Sequence, residues 1–162
     1  METVTLEYLL THKFKKTGLE NIYEGKANAS LRFAPNQLRQ LPRSDKDKMA
    51  ELKIDMMNIY LDKNITTAYF ESHTNIKYNS FKKSLNRPQS RIHRDTLAKF
   101  VVGLGLSYEE ANKLFALESQ PLSPEHILLD AVVVHCIQNR YDINEMFDTC
   151  EQVKLDIFEI IE

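Results

Sequence analysis

The sequence predicts an all-α protein: a domain of five to seven helices preceded by an N-terminal arm. Three observations carry this. Apolar residues recur at intervals of three and four along most of the 162 residues, the spacing that gathers side chains on one face of a helix. No run alternates apolar and polar residues as a half-buried strand would, and no Asn-Gly hairpin signal occurs. Only four Gly and five Pro interrupt a chain that is 43% hydrophobic and 27% charged, the balance of a folded protein and not of a disordered one. This length can bury one sizeable core without disulfides or metal. The predicted division is an amphipathic helix and extended arm over 1–44, then one helical domain over 45–162.

Each element has its own signal. Between Thr3 and Lys16, the residues Leu6, Leu9, Leu10 and Phe14 are spaced as a short amphipathic helix ending before Gly18. From Gly18 to Arg43 the pattern dissolves among Gly25, Asn28, Ser30, Pro35 and Pro42, which predicts the extended arm. Ser44-x-x-Asp47 can satisfy the free amides of a helix start, and Met49, Leu52, Met56 and Ile59 then continue a helix from about 45 to 62. Thr66 or Thr67 can cap a short helix through Ser72. Asn75 suits a left-handed turn, and Lys77 to Leu85 forms a second short helix before a loop at Asn86–Ser90. Leu97, Phe100, Val101 and Leu104 make the apolar face of the next helix, stopped by Gly103 and Gly105. Ser107-x-x-Glu110 opens a helix from Tyr108 to Glu118, with Ala111, Leu114 and Phe115 inward. Ser123-Pro124 predicts the start of a helix to about Asn139, and Asp142-x-x-Glu145 begins a last one reaching nearly to Glu162.

The net charge of -2 conceals a strong asymmetry. Residues 1–76 carry 11 basic and 10 acidic side chains, residues 77–99 carry 7 and 1, and residues 107–162 carry 3 and 12, giving +1, +6 and -9. A basic stretch on an acidic body is a footprint of nucleic-acid contact. The alternative is that the basic stretch neutralises the acidic C-terminal half inside the fold.

Several function classes find no support in the residues. Cys136 and Cys150 lie on separate predicted helices without CxxC spacing, which argues against a zinc site or a disulfide scaffold and for a reducing, cytoplasmic setting. The five histidines are scattered with no i, i+4 pair, so no metal is expected. Glu2 and Glu7 interrupt the N-terminal apolar residues, unlike a secretory signal. The most apolar run, ILLDAVVVHCI, contains Asp130 and His135, so no membrane span is expected. No phosphate loop, nucleophile elbow or prominent carboxylate pair occurs, and neither an enzyme activity nor a cofactor is predicted.

The run from Ile65 to Leu106 resembles the lambda-repressor-like helix-turn-helix family in the order and spacing of its parts. A long helix comes first, then a short helix, a tight turn at Asn75-Ile76-Lys77 and a second short helix. The stretch DTLAKFVVGLGLS, Asp95 to Ser107, is similar to that family's frequent closing segment. The likeness covers roughly residues 47 to 150 and leaves 1–44 unmatched. It implies a DNA-binding regulator of bacterial or phage type, whose second short helix enters the major groove of double-stranded DNA. On that likeness Lys77, Tyr78, Asn79, Lys82 and Lys83 would face the bases or nearby phosphates. Asn can pair with adenine and Lys can donate to guanine or phosphate. Arg87, Arg91, His93 and Arg94 would contact the backbone. Glu71 stands where the family usually has a small residue, and Ser84 where it usually has a buried aliphatic one, which predicts a looser helix crossing or a shifted register.

Met146, Cys150, Val153, Ile157 and Ile160 recur at spacings of four and three on the last predicted helix. They suit either packing against the 124–139 helix or a two-fold homodimer seam. A second functional reading is a protein-interaction module engaging a protein partner through the basic face, the arm or the terminal helix. RNA binding through Tyr78 and the basic loop is a third.

Overall fold

The computed structural model of the protein describes residues 2–19 and 43–157. Among these residues there are eight helices, no strands, and one isolated bridge between Lys16 and Ile127. The helices are α1 (Leu6–Thr11), α2 (Arg43–Lys63), α3 (Thr67–Thr74), α4 (Tyr78–Asn86), α5 (Arg94–Gly103), α6 (Tyr108–Glu118), α7 (Leu128–Asn139) and α8 (Ile143–Gln152). The arm expected over 18–43 falls largely outside the described residues, as do Ile160 and the rest of 158–162.

Helix α5 is the hub. It packs against α3, α6, α7 and α8, while α2 lies on α4 and α6. Leu97, Ala98, Phe100 and Val101 on α5 are fully buried, which is why the short sequence DTLAKFVV carries so dense an apolar face. Aromatic rings join the pair of short helices α3 and α4 to this hub. Phe81 of α4 stacks on Phe100 with ring centres 5.7 Å apart and meets Phe70 of α3 at 4.7 Å. Each such pair adds about 0.5–1.5 kcal/mol beyond area burial. Gly103 ends α5 against α3: a Cβ there would lie 2.2 Å from the His73 carbonyl oxygen and 2.7 Å from Thr74 Cα. Only a glycine lets these two backbones come so close. Gly105, at φ +66°, then adopts the left-handed conformation. Its amide and that of Leu106 bond back to Val102 and Val101, closing α5 as the sequence indicated.

Three helices differ in extent from expectation: α1 covers only Leu6–Thr11 of the segment from Thr3 to Lys16, α7 starts late through partners distant in sequence, and α8 stops early at a local turn. The chain does not become helical at Ser123-Pro124, because the Ser123 amide donates to Asp130 Oδ2 at 2.8 Å and its hydroxyl engages His126 Nδ1 at 3.0 Å. Ile127 is extended, and α7 begins at Leu128. The amides of Leu128 and Leu129 donate to the carbonyls of Lys16 and Thr17 at 3.0 and 2.8 Å. The N-terminal segment thus does the work of a capping side chain. The same segment is tied further along α7, where Gln138 accepts from the Val4 amide and His135 donates to the Val4 carbonyl. Val4 and Leu9 belong to the one hydrophobic core.

The last helix stops at Gln152 instead of running to the C-terminus. Lys154 takes the left-handed conformation at φ +61°. The Leu155 amide bonds back to Cys150 at 2.8 Å, and Leu155 and Ile157 turn into the core. Met146, Cys150 and Ile157 are all fully buried within the chain. They are core residues, and a dimer seam built from them would require exposing that core. Val153 is half-buried. Among the described residues no helix is long and apolar enough to cross a membrane.

Candidate functional site

The candidate site is built on α3, the turn at 75–77, and α4. Thr66 caps α3 by accepting from the Tyr69 amide at 3.0 Å. Asn75 follows in the left-handed conformation, φ 58° and ψ 34°, with its amide bonded to the Glu71 carbonyl. Asn is the ordinary residue that bears this conformation most easily. Thr74 stabilises the turn twice, donating to the Phe70 carbonyl at 2.7 Å and accepting from the Ile76 amide at 3.2 Å.

Glu71 has a definite task. Its carboxylate accepts from the Tyr78 amide at 2.8 Å, satisfying one of the free donors at the start of α4, whose own N-cap residue, Lys77, supplies no side-chain bond. A carboxylate at a helix N-terminus also complements the helix dipole. The side chain is exposed, so no buried charge distorts the crossing. Ser84 is half-buried on the flank of α4 facing α5.

From this frame α4 presents Lys77, Asn79, Lys82 and Lys83 to solvent, with Arg87 exposed just beyond its end. Asn79, Lys82, Lys83 and Arg87 line one shallow depression together with Asn86. Residues 77–87 contain four basic and no acidic side chains, and none of the four cations forms an ion pair with a described residue. The C-terminal end of α4 is pinned to α2 by the buried Lys53, whose ammonium donates to the Arg87 carbonyl at 2.7 Å. Tyr78 differs from its expected outward placement. It is half-buried, and its ring packs on that of Tyr60 at 5.4 Å and on Phe70 at 6.2 Å.

The three expected backbone contacts that follow in sequence are turned inward. Arg94 is 7% exposed and gives two hydrogen bonds to Asp130, at 2.9 and 2.7 Å, and one to Glu118 at 2.6 Å. Its guanidinium also lies 4.7 Å from the centre of the Phe115 ring. Arg91 donates to the Glu118 carbonyl and sits 3.8 Å from its carboxylate. Burial pushes the His93 imidazole below its ordinary pKa, against an opposing pull from Asp95. These groups are occupied by the protein's own carboxylates or shielded by its body, so Arg91, His93 and Arg94 do not share the exposed face. The basic stretch therefore divides: among the described residues its first half forms no ion pair, while Arg91 and Arg94 in its second half pair with Glu118 and Asp130 of the acidic C-terminal half.

Two hollows flank α4. A groove of about 640 Å³ runs between α2 and the end of α4, with Ala50, Ile54, Met57, Leu85 and Pro88 on its apolar walls and Lys46 and Lys53 at its edge. A smaller hollow of about 190 Å³ lies on the other flank, between α4 and α5. Its polar wall includes Lys99, 2% exposed, which sequence reasoning passed over because it stands inside an apolar helix face. Among the described residues no group of three His, Cys, Asp or Glu side chains could hold a metal ion. No protein-family model, curated protein or solved structure matches the chain.

Proposed function

We propose that the protein is a DNA-binding regulator of the repressor-like helix-turn-helix type, with α4 lying in the major groove. The observation that carries this is the basic face of Lys77, Asn79, Lys82, Lys83 and Arg87, which forms no ion pair among the described residues and has no carboxylate between residues 77 and 87. Two short helices joined by a three-residue turn, with the second projecting polar side chains, supply a suitable frame. Asn79 and Lys82 are the candidate base contacts, Lys83 and Arg87 the candidate phosphate contacts. The family resemblance of residues 47–150 points the same way.

The test is electrophoretic mobility of genomic DNA fragments with the purified chain at two salt concentrations. Neutralising about two to four phosphates gives a log-log salt slope between about -2 and -4. The Lys82→Glu, Lys83→Glu double variant should lose binding at both salts while keeping its helical circular dichroism. A folded double variant that binds as well as the parent removes the proposal.

The apolar groove between α2 and α4 favours a second reading, a protein-interaction module, because Ile54 on its wall is 61% exposed. A stoichiometric protein partner that survives nuclease treatment and is lost in Ile54→Glu would favour this reading over DNA.

A further inference from the structure

We propose that the hollow between α4 and α5 is a binding site for a small oxyanion, of phosphate type. Lys99 is 98% withdrawn from solvent yet makes no hydrogen bond and no ion pair within 4.0 Å among the described residues. The ammonium is not sealed in: it opens on the hollow without a partner among the described residues, and burial of the side chain holds its pKa below the ordinary lysine value. Asp95, one turn earlier on α5, exerts an opposing pull at longer range. It does not line the hollow.

The rest of the wall has the matching chemistry. Ser80 and Ser84 come from α4 and Thr96 from α5, and their hydroxyls make no hydrogen bond to any described residue. Lys77 adds positive charge at the rim, Arg91 beside it is held by Glu118, and among the described residues no carboxylate lines the hollow. Three hydroxyls and an ammonium with three donors can surround a tetrahedral oxyanion, whose oxygens accept in every direction. The volume of about 190 Å³ falls below the range of roughly 300–1,000 Å³ typical of drug-sized ligands, which restricts the occupant to phosphate itself or a small phosphorylated compound.

This site meets the exposed basic face only at Lys77. Ser80 and Ser84 lie on the flank of α4 about a third of a turn from Asn79, Lys82, Lys83 and Asn86, and the two hollows share no residue. An occupant would bridge α4 to α5 and stiffen the pair. The shared chemistry admits two sources, a free anion or a phosphate of a nucleic-acid backbone.

The experiment is thermal unfolding of the full chain in buffer without oxyanions, titrated with inorganic phosphate and, separately, with sodium chloride at matched ionic strength. Phosphate at ten times its Kd should raise Tm by about 3–6 °C in a saturable manner, and chloride should not. Lys99→Met keeps the length of the side chain and removes the charge; it should fold and lose the response. Ser84→Asp places a carboxylate at the wall and should lose it too, while Lys82→Ala, on the other flank, should keep it. Equal effects of phosphate and chloride, or a full phosphate response in both Lys99→Met and Ser84→Asp, overturn the proposal. A second arm repeats the titration in a duplex-binding assay: competition between phosphate and duplex identifies a backbone phosphate as occupant, simultaneous binding a free anion. The unfolding arm needs no DNA, so failure of the regulator reading leaves the test of this site intact.

Discussion

Replacing Arg94 by Ala removes a cation from a nearly closed cage. Asp130 is 0% exposed and would keep only the Ser123 amide, at 2.8 Å, among its present hydrogen-bond donors. Glu118, whose side chain is 9% exposed, would lose its closest cation. The Phe115 ring would lose the guanidinium that lies 4.7 Å from its centre. Breaking one side of a buried pair costs about 3–5 kcal/mol, because the remaining charge stays buried without compensation. For a chain of this size each kcal/mol shifts Tm by about 2–4 °C, so the expected loss is roughly 6–20 °C. Urea unfolding followed by circular dichroism should show a lower midpoint with an unchanged slope. The Arg94→Met, Asp130→Leu double variant should recover much of the loss, since it removes both charges and keeps the volume. A surface arginine behaves otherwise, costing under about 1 kcal/mol when removed. If Arg94→Ala were that mild, or if it weakened DNA binding as much as Arg87→Ala while remaining fully folded, the assignment of Arg94 to the core would be wrong.

Two further outcomes follow from the packing. Gly103→Ala should destabilise the protein by at least about 1–3 kcal/mol, because the new methyl meets the backbone of His73 and Thr74 at 2.2 and 2.7 Å and not the end of a flexible side chain; an unchanged urea midpoint would contradict the close α3–α5 approach. Burial pushes the Cys150 thiol up to about 12 and raises that of Cys136 as well, so Ellman's reagent should label neither thiol in the folded protein at pH 8 and both in denaturant. Unfolded thiols ionise from about pH 8.5 while the folded ones stay protonated, so the unfolded state then binds fewer protons. Each thiol should therefore lower stability by up to about 1.4 kcal/mol per pH unit above that value, and the difference between the parent and the Cys136→Ala, Cys150→Ala double variant should show this alkaline slope. Parallel stability profiles of the two would refute it.

Much of this architecture is written locally. Thr66, Asn75, Ser107 and Asp142 each act on amides or dihedrals within a few residues, and the structure uses all four at the positions their spacing indicated. The apolar faces of α2, α5 and α6 are likewise legible, because helical periodicity alone decides which side chains can share a core. The exposed cations of α4 belong to this class: no acidic residue lies near them in sequence, and the pair of short helices α3 and α4 follows from a capped start, a left-handed Asn and an inward Phe81.

What tertiary structure alone decided involves partners far along the chain. Arg94 finds Glu118 and Asp130, 24 and 36 residues away, so a count of charges could register the basic stretch but not which half of it was already spent. The start of α7 depends on carbonyls of Lys16 and Thr17 more than a hundred residues earlier, which override the Ser-Pro signal at 123. Glu71 reaches across a turn to cap a different helix, and Lys99 sits buried in an apolar face with nothing in its neighbours to mark it. Capping and periodicity are short-range forces that a sequence displays directly; ion pairing and burial depend on distances that exist only once the helices have packed.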